Sequence, residues 1–143
     1  MGLIFVGIII LITDQLIKNF ILSRFEFNES IGWSFLNITL VRNTGTVFGL
    51  FKGNNLFFII VGFITVLIIT IALFKSRGRI LSFKLCLVLV LSGAISNLID
   101  RLRFGYVIDY IDLTIWPVFN LADSAITVAV VLFLFSSLIG KKT

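Results

Sequence analysis

The chain has 143 residues, of which 59% are hydrophobic and only 13% charged, with a mean hydropathy of +1.15. A soluble domain of this size would need about half its residues polar to cover its surface, so the chain reads as one compact integral membrane domain spanning 1–143. It has no histidine and one cysteine, which excludes Ser-His-Asp and Cys-His triads, HExxH zinc sites, disulfide frameworks and cysteine-rich metal clusters.

The net charge of +5 comes from scattered cations with no aromatic-basic groove, so no nucleic-acid partner is expected. Four stretches reach spanning length, at about 3–22, 56–74, 80–99 and 119–139. The first lacks a basic n-region and a small-x-small cleavage site, which predicts retention rather than cleavage. Lys75, Arg77, Arg79 and Lys84 crowd the second connection, and Lys141 with Lys142 follows the fourth span. The excess of cations there predicts that both termini face the cytoplasm. The outer segments are then 23–55 and 100–118, where basic and acidic residues nearly balance.

In the first outer segment Leu36, Ile38 and Leu40 alternate with Asn37 and Thr39, the period of a half-buried strand. Asn43, Thr44 and Gly45 follow as a turn, and Val47, Phe48, Leu50 and Phe51 approach the spacing of a short surface element. The expected fold is all-α, four transmembrane helices under a small β-containing extracytoplasmic cap. Cys86, between Leu85 and Leu87, reads as an apolar packing residue.

A charge at the centre of a span costs roughly 2.5–3.5 kcal/mol on insertion scales, so each intramembrane polar residue needs a reason. Asp14 and Lys18 share one face of the first span; they either neutralise each other and brace neighbouring helices or contact a substrate. Asn97, Asp100 and Arg101 lie on nearly one face at the end of the third span. An interfacial anchor would account for Arg103, but it leaves the amide of Asn97 unexplained. Asn120 and Asp123 open the fourth span as Asn-x-x-Asp, and Asn120 reads equally as an N-cap. Asp123 is carried into the bundle by apolar neighbours, with Asp109 as its expected partner. Asp109 and Asp112 lie in an alternating stretch, so one should face the bundle and the other water.

These polar positions gather toward the outer half of the membrane, whereas a transporter would place its site at the midplane. Together, Asn43-Thr-Gly-Thr-Val-Phe48, Asn97-Leu-Ile-Asp-Arg101, Val107-Ile-Asp109-Tyr110, Phe119-Asn-Leu-Ala-Asp-Ser-Ala-Ile126 and Asp14-Gln15-x-x-Lys18 resemble, in order, the lipoprotein signal peptidase family (signal peptidase II). Ser96 stands where that family usually has glycine, and Thr46-Val47 where it has two alanines.

The resemblance implies an aspartic membrane endopeptidase that cuts bacterial prolipoproteins just before a diacylglyceryl-modified cysteine. It implies Asp109 and Asp123 as the catalytic pair, with Asp14, Lys18, Asn43, Gly45, Asn97, Asp100, Arg101 and Asn120 binding substrate or supporting the site. It further implies no cofactor or metal, a monomer among membrane lipids, and an active site near the extracytoplasmic face of the bacterial cell membrane. Three other readings compete: a four-span transporter or channel, a noncatalytic scaffold, and a serine-lysine protease, for which no serine stands one turn from Lys18 in its own span.

Overall fold

The computed structural model describes residues 2–45 and 53–139. The surface element expected around Val47–Phe51 lies outside these residues, as do Lys141 and Lys142. Four helices, α1 (Gly2–Arg24), α2 (Asn55–Lys75), α3 (Leu81–Phe104) and α4 (Leu121–Ile139), account for the predicted spans. With 19 to 24 residues each, they are roughly 28–36 Å long at the α-helical rise, enough to cross the hydrocarbon core.

Their exposure follows the logic of a protein whose solvent is lipid. α2 has the highest mean hydropathy and buries none of its residues, while the less apolar α3 contributes the most buried ones. α3 is the hub, packing against α1, α2 and α4. Where α3 meets α4 the contact is made by small residues: Gly93 of α3 lies so close that an added Cβ would stand 2.5 Å from the Ala122 carbonyl oxygen. Ala125 and Ala129 continue the seam beside buried Cys86 and Leu89. Lipid tails offer no hydrophobic drive for helices to associate, so close backbone approach supplies the attraction.

Three antiparallel strands cap one end of the bundle: β1 (Ser30–Trp33), β2 (Leu36–Asn43) and β3 (Val107–Asp112), in the order β1-β2-β3. The alternation in 36–40 and in 107–112 becomes β2 and β3, while β1 carries no comparable signal. Leu40 and Ile108 from the sheet pack with Ile21 of α1 and Tyr110 into a buried cluster that seats the cap on the helix ends. A register irregularity lies between Ile38 and Val41, beyond which Val41 pairs with Asp109 and Asn43 with Val107.

Two boundaries differ from expectation for a reason visible in the contacts. α3 continues through Asp100 and Arg101 to Phe104, ending at left-handed Gly105 (φ +81°), whose N–H donates to the Arg101 carbonyl. The hydropathy run stops at the first charge, but the helix does not, because those charges find buried partners. α4 begins two residues after the expected 119, since Phe119 is held extended by an antiparallel bridge to Ile111.

Candidate active site

The site is built where the end of α3, the start of α4, β3 and the end of β2 converge. Asp109 comes from β3 and is 1% exposed; Asp112, three residues on, faces the other way and accepts a hydrogen bond from Thr39 Oγ1 (2.8 Å). Asp123 lies in the first turn of α4. Two asparagine amides, Asn120 and Asn97, connect the two carboxyl groups, and a third, Asn43, adds to Asp109. Asn43, diagonal to Asp109 across the sheet, donates to Asp109 Oδ2 (2.8 Å), and Asn120 donates to Asp109 Oδ1 (2.7 Å). Asn97 donates to Asp123 Oδ1 (2.8 Å) and accepts from Asn120 (3.1 Å).

The orientation of each amide is dictated by a partner that can only donate. Asn97 Oδ1 faces the Lys18 ammonium (3.1 Å), Asn120 Oδ1 faces the backbone N–H of Asp123 (2.8 Å), and Asn43 Oδ1 faces that of Gly45 (3.1 Å). With the oxygens so committed, all three NH2 groups must point at carboxyl oxygens. The two readings of Asn120 therefore both hold: its oxygen caps α4 while its nitrogen serves Asp109.

Behind this layer sits a buried ionic network. Lys18, 1% exposed, bridges Asp14 Oδ2 and Asp100 Oδ2 at 2.7 Å each. Asp14 also accepts from Ser96 Oγ (2.6 Å), Tyr110 Oη (3.1 Å) and the N–H of Ala122 (3.2 Å). Its charge thus lies at the positive N-terminus of α4. Asp100 accepts from Ile108 N (3.2 Å) and Gln15 Nε2 (2.9 Å). Asp14 and Lys18 therefore brace α1 against α3, α4 and β3.

Arg101 stacks over the Phe58 ring (4.2 Å) and donates to the Gly45 carbonyl (3.4 Å), while its own carbonyl accepts from Asn55 (3.2 Å). Every predicted site residue falls in this one region. Gln15, Ser96 and Tyr110 complete the network and Asn55 and Phe58 hold Arg101, although sequence reasoning assigned none of them to the site. An amide or hydroxyl inside a span carries a desolvation cost, and that cost was the available signal for Gln15 and Ser96. The aromatic partner of Arg101 has no local signature.

Burial, and then the charge of Asp123, push the Asp109 carboxyl up to about 7 against the downward pull of Asn43, Lys18 and Asn120. Burial and the neighbouring Asp14 charge likewise raise the Tyr110 hydroxyl, which stays protonated and donates. Asn43 and Asp123 line a cavity of about 570 Å³ walled by Trp116, Pro117, Phe119 and Thr127. A buried acid, a second carboxylate at the cavity wall and fixed amide donors form an arrangement suited to acid-base hydrolysis.

A four-helix membrane bundle with a polar site under a small sheet is the class this fold defines. Residues 6–139 match the sequence pattern of the signal peptidase (SPase) II family. The chain is 42% identical over 142 residues to a lipoprotein signal peptidase of Moorella thermoacetica, covering 97% of this chain and 94% of that one. It is 37% identical over 131 residues to one of Halothermothrix orenii, covering 90% of both. Two solved bacterial membrane enzyme structures superpose on it. One has a TM-score of 0.87 at 32% identity over 99% of this chain and 90% of that one; the other has 0.83 at 33% over 99% and 94%. The chain belongs to the signal peptidase II family, and is thereby a protease and a multi-pass bacterial membrane protein.

Proposed function

We propose that the chain is a single-domain aspartic endopeptidase that removes the signal peptide of prolipoproteins by cutting before a diacylglyceryl-modified cysteine. The names of its relatives supply the substrate class. The observation that carries the catalytic assignment is the amide chain Asn43–Asp109–Asn120–Asn97–Asp123, which ties two carboxyl groups from separate elements into one unit. Asp14, Lys18, Asp100 and Gly45 support that unit, and Arg101 borders it.

Asp109, raised to about 7, is the member to which we assign the proton in the reactive form. Asp123, at the cavity wall, takes a proton from water as the water oxygen attacks the scissile carbonyl carbon. Asp109 gives its proton to the developing oxyanion. When the tetrahedral intermediate collapses, the C–N bond breaks, the departing nitrogen takes the proton held by Asp123, and the carbonyl re-forms as its hydroxyl proton returns to Asp109. The products are a carboxyl terminus and a free amine on the lipidated cysteine, with both aspartates restored.

The acyl chains of the substrate hold its cysteine at headgroup level, so attack is effectively intramolecular within the membrane plane. By the distribution of cations, both termini face the cytoplasm and the sheet end faces outward. The chain acts as a monomer, as its family resemblance implies. Incubating purified protein with a diacylglyceryl-modified prolipoprotein and following mass tests this reading. Wild type releases the signal peptide, while folded Asp109→Asn and Asp123→Asn do not. Undiminished cleavage by either variant refutes the pair.

A further inference from the structure

A second feature lies at the far end of the bundle from Asp109 and Asp123. α1 and α2 both pack on α3 but scarcely touch each other, leaving a lateral cleft whose floor is α3. Its inner part is a cavity of about 460 Å³ reaching Leu11, Thr70 and Ile95. Ile4, Leu73, Arg77 and Val88 also line a neighbouring outer part of about 760 Å³ that includes Ser76 and Lys84. From Lys84 to Ile95 the floor runs about 16 Å along α3, against about 15 Å for half of a hydrocarbon core.

The inner walls ask for nothing polar: Thr70 and Ser92 are the only uncharged polar side chains among them, and Ser92 Oγ already donates to the Leu89 carbonyl (3.0 Å). The mouth has the opposite character. Arg77 lines both parts, and Lys84 Nζ donates to the Arg77 carbonyl (2.9 Å), which keeps its ammonium at the same spot. Lys75 and Arg79 flank them, and positions 30–99 contain no Asp or Glu at all. Nothing in that stretch of chain neutralises these four cations. A signal peptide, with its basic n-region, would be repelled there, as would the same end of a second copy of the chain.

We infer that this cleft binds one anionic phospholipid of the leaflet at that end, with an acyl chain between α1 and α2 and its phosphate on Arg77 and Lys84. The site is independent of the peptidase reading and shares no residue with it. Cations near an anionic headgroup contribute enough that removing both should weaken binding about thirtyfold.

Native mass spectrometry of the purified full chain, titrated with phosphatidylglycerol or with phosphatidylcholine of identical acyl chains, is the test. Wild type should retain one phosphatidylglycerol where phosphatidylcholine is stripped. Arg77→Gln with Lys84→Gln, both at the cleft mouth, should lose that preference, and Thr70→Trp should lose the bound lipid by filling the cavity. Arg103→Gln, at the other end, should change nothing. Equal retention of the two lipids by wild type overturns the inference, as does unchanged phosphatidylglycerol binding by either cleft variant.

Discussion

Lys18→Met tests whether one buried cation holds both the fold and the geometry of the site. Its ammonium lies 2.7 Å from Asp14 and 2.7 Å from Asp100, and both carboxylates are fully buried. Removing one partner of a buried ion pair costs about 3–5 kcal/mol, because the remaining charge is left unneutralised. Here two carboxylates lose the same partner, so the upper figure of about 5 kcal/mol applies, a large part of a typical stability of about 5–15 kcal/mol. For a domain of this size that is a fall of roughly 10–20 °C in Tm, readable by thermal unfolding in detergent.

The triple variant Asp14→Asn, Lys18→Met, Asp100→Asn removes the charges together and should recover most of the loss. It does not restore the ammonium donor on Asn97 Oδ1, so cleavage should stay roughly ten- to a hundredfold below wild type, the value of one hydrogen bond to a charged group. A Lys18→Met protein within about 4 °C of wild type, or a triple variant no more stable than the single one, would refute the reasoning.

Four further outcomes are expected. Because the Asp109 pKa is raised on folding from 3.8 to about 7, the folded state binds the extra proton. Stability should therefore fall as pH climbs between these values, with the full cost, at most about 4 kcal/mol, present above 7. Asp109→Asn should abolish that slope in a Tm-against-pH series, and a slope unchanged in the variant would contradict it. Wild-type cleavage should decline as pH rises through about 7, where Asp109 loses the proton it donates. In Asp123→Asn the removal of the neighbouring charge should move the Asp109 titration, read from the same Tm series, to lower pH. Gly93→Ala places a Cβ 2.5 Å from the Ala122 carbonyl and 2.7 Å from Ile126 Cγ1. The α3–α4 seam must then open, costing about 1–3 kcal/mol and displacing Asp123 next to Ala122, with kcat falling more than KM rises.

Much of this protein could be read without coordinates because lipid is a demanding solvent. Unsatisfied backbone groups are costly there, so long apolar runs had to be helices. Polar residues are costly there too, so Asp14, Lys18, Asn97 and Asp123 announced themselves by standing where they should not. Alternation located β2 and β3 and the opposed faces of Asp109 and Asp112, since the period of a strand is a local property.

What remained to the tertiary structure was everything that depends on a partner distant in sequence. That Lys18 braces α1 against α3 depends on Asp100, 82 positions away, which closes the bridge. The end of α3 lay beyond its hydropathy run because Asp100 is paired by α1 and β3, and Arg101 lies over Phe58 with one N–H on the Gly45 carbonyl, rather than either being held by water. β1 was invisible because its four residues are all exposed and carry no buried face. The amide orientations were equally out of reach, for an asparagine in a sequence has no direction until an obligate donor claims its oxygen. Sequence alone determined which residues cannot rest in lipid unpaired; only the fold decided with whom each one pairs.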